Sequence, residues 1–187
     1  MAIHVPKSDK QYVQCPAGTY SAVCVDVVDL GVLPTGFQNE DGSERTAHKI
    51  RIVWQVSKKM EDGRPYLVDN RYTLSLSEYQ GKKSNLRLLV EAWGVSLMDL
   101  VDETNNEDVE RLIGRTCLLN IIHAASTKDP KKVYANVASI MPVPEGMATI
   151  ASRDYVRVVD RDSRPAQPTP VDLSQFPEGD DNDEAPF

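Results

Sequence analysis

The stretch "GTYSAVCVDVVDLG" alternates Val23, Val25 and Val27 on one side with Ala22, Cys24 and Asp26 on the other. That is the period of a half-buried β-strand. In "HKIRIVWQV", Ile50, Ile52, Trp54 and Val56 share one face, and Lys49, Arg51, Val53 and Gln55 share the other. After the turn "KKMEDGRP", the run "YLVDNRYTLSL" sets Tyr72, Leu74 and Leu76 against Arg71, Thr73 and Ser75. Three strands joined as a meander follow from these patterns. Between the first two lies "GVLPTGFQNEDGSERTA", which has no apolar periodicity and is predicted to be a loop of roughly 15 residues.

The period then changes. In "SNLRLLVEAWG", Leu86, Leu89, Val90 and Trp93 recur at helical spacing, with Ser84 as N-cap and Gly94 as the stop. An acidic connector, Asp99 to Glu110, leads to two further strand patterns, "LIGRTCLLNIIHA" and "KVYANVASIMP", joined by the basic turn "STKDPKK". Five strands with one helix between the third and fourth is the element order of the OB-fold, a small, partly open barrel whose second and third strands bind oligonucleotides. Trp54 and Trp93 fall in register with Ile and Leu and are predicted to be core.

Beyond Pro142 the periodicity fades. "DYVRVVDR" reads as a short strand or helix packed on the barrel, and the Pro-rich "RPAQPTPVD" after Arg164 reads as an extended linker. The predicted division is an OB-fold domain over 1–160 and a linker with an acidic tail over 161–187.

Charge divides the same way. The formal net charge of −7 comes almost wholly from residues 165–187, which hold six acidic residues and no Lys or Arg; residues 1–164 hold 22 acidic against 21 basic. Residues 45–87 reverse the sign, with ten Lys or Arg against four acidic residues. A local excess of cations in an acidic chain is the electrostatic footprint of a surface that tracks phosphates. Strand alternation puts Lys49, Arg51 and Arg71 on faces opposite the core. The turns add Lys58, Lys59 and Arg64 at one end and Lys128, Lys131 and Lys132 at another. Tyr20, Tyr66 and Tyr134 are candidate platforms for base stacking near the same surface. The duller reading of each cation is a solvated charge on an exposed sheet face.

Other chemistry finds less support. Cys15, Cys24 and Cys117 form no CxxC pair and read as reduced thiols; His4, His48 and His123 lack metal-ligand spacing. A nuclease or phosphotransferase would need clustered carboxylates for Mg²⁺, and no motif spacing ties Asp26, Asp29 and Glu91 together. The chain therefore reads as non-catalytic, with no cofactor. The N-terminal "MAIHVPKSDK" lacks a signal-peptide core and no apolar run reaches the ~20 residues of a membrane span, so a cytoplasmic protein without a membrane partner is expected.

The stretch "DDNDEAPF" places four acidic residues before Pro186 and an aromatic that its neighbours cannot bury. It resembles the acidic C-terminal tip of bacterial and phage single-stranded-DNA-binding proteins, which carry several Asp residues followed by an apolar residue, Pro and Phe. The matching positions are Asp180, Asp181, Asp183, Pro186 and Phe187, with Glu184 adding charge; Asn182 interrupts the Asp run, and Ala185 is smaller than the family's usual residue. The resemblance points to a divergent, phage-type member. It implies that the tip recruits replication or recombination proteins (a helicase, primase, polymerase or nuclease), Phe187 entering an apolar pocket rimmed by basic residues. The expected function is sequence-independent single-stranded DNA binding in replication, recombination and repair, in the host cytoplasm if phage-encoded. The alternative is a protein-interaction or virion-associated barrel module without DNA binding. Homo-oligomerisation is left open.

Overall fold

A computed structural model describes residues 13–125, 133–147 and 149–162. Its elements are β1 (Gly18–Gln38), β2 (Glu44–Lys59), β3 (Pro65–Thr73), a short hairpin of β4 (Glu78–Tyr79) and β5 (Lys82–Lys83), α1 (Asn85–Ala92), β6 (Thr116–Ala125), β7 (Val133–Met141) and α2 (Val158–Asp162). The protein is mainly β. Five strands form one antiparallel sheet in the order β3-β2-β1-β6-β7, so the meander of the first three strands is as expected. The edge strands β3 and β7 come into contact, although no ladder joins them among the described residues.

One face of the sheet and α1 enclose the core. Ile50, Ile52, Trp54 and Val56 of β2 meet Leu86, Leu89, Val90 and Trp93 around α1, and Cys117, Leu119 and Ile121 of β6 complete the layer. Both tryptophans are core, as their register predicts, with ring centroids 6.2 Å apart. The helix starts where Ser84 Oγ accepts from the Arg87 amide at 3.3 Å. It stops at Gly94, whose φ of +78° favours glycine. The acidic connector is pinned by Leu100 and Leu112, both fully buried in two short 3₁₀ turns.

Two expectations fail here. First, Val23, Val25 and Val27 of β1 do not share one face. Cys24 pairs with Trp54 and Asp26 with Val53, leaving Val25 as an extra residue in a β-bulge. A one-residue insertion inverts the parity beyond it. Ala22, Cys24 and Val27 therefore face the core, while Val23 and Val25 sit with Val53 in a separate cluster on the outer face.

Second, residues 31–47 are not a loop. β1 and β2 continue past the core as a two-stranded arm, paired from Gly31–Lys49 out to Gln38–Glu44. Only the tip turns, with the Asn39 amide donating to the Ser43 carbonyl at 2.8 Å and Gly42 at φ +81°. An arm wet on both faces needs no alternation of apolar and polar residues, so no period marks its strands. Val32 and Phe37 are exposed on it.

The segment after Pro142 returns across the outer face as a strap. Ile150 and Tyr155 pack on Val23, Val25 and Val53. Gln55 binds the strap backbone as a strand would: its Nε2 donates to the Arg153 carbonyl at 2.6 Å and its Oε1 accepts the Arg153 amide at 2.7 Å. Asp26, 1% exposed, accepts from the Tyr155 hydroxyl at 3.0 Å, the Val158 amide at 2.8 Å and Arg157 Nε at 3.3 Å. A buried carboxylate is tolerated because each oxygen is bonded and a guanidinium balances its charge. α2, which begins in the "DYVRVVDR" stretch and runs to Asp162, follows the strap.

Candidate nucleic-acid interface

The register of β2 on β3 sets Arg51 directly opposite Arg71, with Lys49 opposite Thr73 on the same face. The expected juxtaposition of Lys49, Arg51 and Arg71 is therefore present. Arg51 Nε is buried without a hydrogen-bond partner, and the nearest carboxylate, Asp69 Oδ2, is 3.9 Å away. Arg71 is exposed, and no carboxylate pairs with it among the described residues. Like charges directly across a ladder oppose folding. Lys49 is partly committed, its Nζ donating to the Pro34 carbonyl of the arm at 3.0 Å.

The other cations do not extend this patch as a continuous strip. Between Arg51 and the exposed Lys58 and Lys59, the same face of β2 carries Val53 and Gln55, which the strap buries. Arg64 is held by Asp62 at 2.6 Å, an exposed pair of little net charge. Lys83 and Arg87 are tied to Glu91, and Arg87 also to Glu78. Lys128, Lys131 and Lys132 lie outside the described residues, as do Asp180, Asp181, Asp183, Glu184, Pro186 and Phe187.

The three tyrosines separate. Tyr134 on β7 is 48% exposed and lines, together with Arg71, Asn70 and Asn136, a groove of about 600 Å³ between the two sheet edges. Tyr66 is buried: it shares the inward parity of Val68 on β3 and belongs to the core. Tyr20 is half-buried against the core on the β6 side of β1, away from β3. Of the predicted platforms, only Tyr134 shares a groove with Arg71.

The strap adds residues that sequence reasoning left without a role. Tyr155 packs beside Val53, the same-face neighbour of Arg51 on β2, and the Arg161 guanidinium lies 5.1 Å from the centre of its ring. Burial and the Asp26 hydrogen bond push the Tyr155 hydroxyl up to about 12, against the opposing charges of Arg161 and Arg51. Only the tyrosine and three arginines of residues 153–161 hinted at this; nothing in their spacing says where they fold back.

The carboxylates weighed as metal ligands each have another partner: Asp26 the strap, Asp29 the His48 ring at 2.6 Å, and Glu91 Lys83 and Arg87. Among the described residues no group of His, Cys, Asp and Glu is placed to hold a metal ion. The three cysteines are free and buried, and burial pushes the Cys24 thiol up to about 12. No helix among the described residues is long and apolar enough to cross a membrane. No protein-family model matches the sequence, and no curated protein matches it.

Proposed function

We propose that the protein binds single-stranded DNA without sequence preference and without catalysis, on the outer face of β2 and β3, and recruits partner proteins through its acidic tail. The observation that carries this reading is the Arg51–Arg71 pair: two cations held opposite one another, with a single long contact of 3.9 Å from Arg51 to Asp69 among the described residues, and with Arg71 beside the exposed Tyr134. Such an arrangement weakens the folded sheet unless an anion bridges it, and a nucleic-acid backbone presents anions in a row. Tyr134 and the groove beside Arg71 offer a flat ring for one base, each stack contributing ~1–3 kcal/mol.

The finer fold assignment belongs to the same proposal. The strand order, the helix between β3 and β6, and the approach of β3 to β7 support an OB-fold barrel. The acidic stretch with Pro186 and Phe187 supports a role in replication, recombination or repair, with a helicase, primase, polymerase or nuclease as partner. Gel-shift titration with single- and double-stranded oligonucleotides tests the reading. A preference for the single strand that falls steeply with salt is expected; no binding to either sinks it and leaves the protein-interaction module.

A further inference from the structure

On the outer face of the sheet, the Arg161 guanidinium lies over the Tyr155 ring, and the apolar cluster that holds this ring borders Arg51 of β2. Tyr155 is fixed there from two sides, its ring against the Val23, Val25 and Val53 cluster and its hydroxyl on the buried Asp26 carboxylate. Arg51 precedes Val53 by two residues on the same face of β2, opposite Val28, which also packs on this cluster. Arg161 reaches the ring from α2, its Nε donating to the Val156 carbonyl at 2.8 Å. That bond leaves the rest of an exposed guanidinium free to bind. The nearby carboxylates offer little competition: Asp26 is saturated by the strap and Asp69 stands 3.9 Å from Arg51.

We propose that the strap is a wall of the DNA path, with a phosphodiester of the single strand held between the sheet arginines Arg51 and Arg71 and the α2 arginine Arg161, which Tyr155 positions. The inference rests on the single-stranded-DNA reading above and adds a binding element outside the five strands. It gives the buried Asp26 a purpose: a carboxylate that fixes Tyr155, Arg157 and Val158 fixes the height of the wall above the sheet. It also accounts for the interruption of the cation strip. The strand would leave the β2 face where the strap crosses it and follow the strap edge rather than continue to Lys58 and Lys59.

The test uses the full chain and a fluorescent oligothymidylate titrated over a range of salt. Arg161 is exposed, so Arg161→Gln leaves the fold intact, which circular dichroism and thermal melting verify. Arg161→Gln is expected to weaken binding several-fold at low salt and to reduce the log–log salt slope by ~0.7, the loss of one phosphate contact. Arg161→Lys should restore the slope, an effect that packing alone would not produce. An unchanged slope in Arg161→Gln, with Arg51→Ala still weakening binding, overturns the wall and leaves the sheet reading standing. If neither variant changes affinity, the sheet reading falls and the wall with it.

Discussion

Arg51 and Arg71 stand directly opposite one another on β2 and β3, side chains on the same face, with Asp69 the only carboxylate in range among the described residues and 3.9 Å from Arg51. The pair costs the fold some stability and, on the proposed reading, serves binding, which separates the two effects of a substitution. Arg71→Glu turns a repulsive cross-strand pair into an attractive one, worth ~0.2–1 kcal/mol. It should raise the melting temperature slightly and sharply weaken binding to a single strand. A variant that binds normally moves the site off this face.

The aromatic residues give a second contrast. Tyr134→Ala should cost binding on the order of 1–3 kcal/mol with the fold unchanged, because the ring is exposed at the groove. Trp54→Ala and Tyr66→Ala should instead destabilise the protein, by ~3–5 kcal/mol for the tryptophan. Urea denaturation and oligonucleotide titration of the three variants measure both effects. Loss of binding in stably folded Tyr66→Ala would contradict its inward position.

Asp26 anchors the strap. Asp26→Ala strands the Tyr155 hydroxyl and the Val158 amide and leaves Arg157 with Glu110 alone; it should destabilise by ~1–3 kcal/mol. Gln55→Ala strands the Arg153 amide and carbonyl and should cost ~1–3 kcal/mol. Limited proteolysis should then cut first within residues 143–157. Cleavage unchanged from the parent would mean that these bonds do not hold the strap.

The base of the arm carries a pH signature. The Gly31 amide and then His48 hold the Asp29 carboxyl below the usual carboxylate range. A depressed folded pKa stabilises above the unfolded value of ~3.9, and the contribution is lost as pH falls through the lower folded value. Asp29 should therefore titrate, by carboxyl NMR shift, below an ordinary Asp, and His48→Ala, which removes the second of its two partners, should move it up. An ordinary midpoint in the parent would contradict the hydrogen bond.

The acidic tail is expected to compete with DNA for the same cations, most strongly at low salt, since screening acts over ~10 Å at 0.1 M. Deleting residues 178–187 should tighten DNA binding at low salt and abolish capture of replication enzymes. Removing Phe187 alone keeps the acidic side chains and takes away the anchor, so capture should be lost while DNA affinity stays. Retained capture would reduce the stretch to a solubilising or self-inhibiting tail.

Where side chains alternate between water and a buried layer, the sequence alone determines the element. The β2 faces, both core tryptophans and the capped helix α1 follow from period and end signals, because burial on one side imposes a period of 2 or 3.6; β3 ends at Thr73, so the alternation expected through Leu74 and Leu76 stops short and Leu74 is exposed. The same alternation places Arg51 and Arg71 outward, although only the β2–β3 register sets them opposite one another. Three features needed the tertiary structure. The arm has no period because both of its faces meet water. The bulge at Val25 inverts the parity of β1 through one unpaired residue, a change that pairing with β2 decides and composition does not record. The strap reaches Asp26 and Gln55 across about a hundred residues or more of chain, through bonds from a buried carboxylate and an amide. Local pattern carries no information about such distant partners, so which part of the cationic face stays open is settled by where residues 149–158 come to rest.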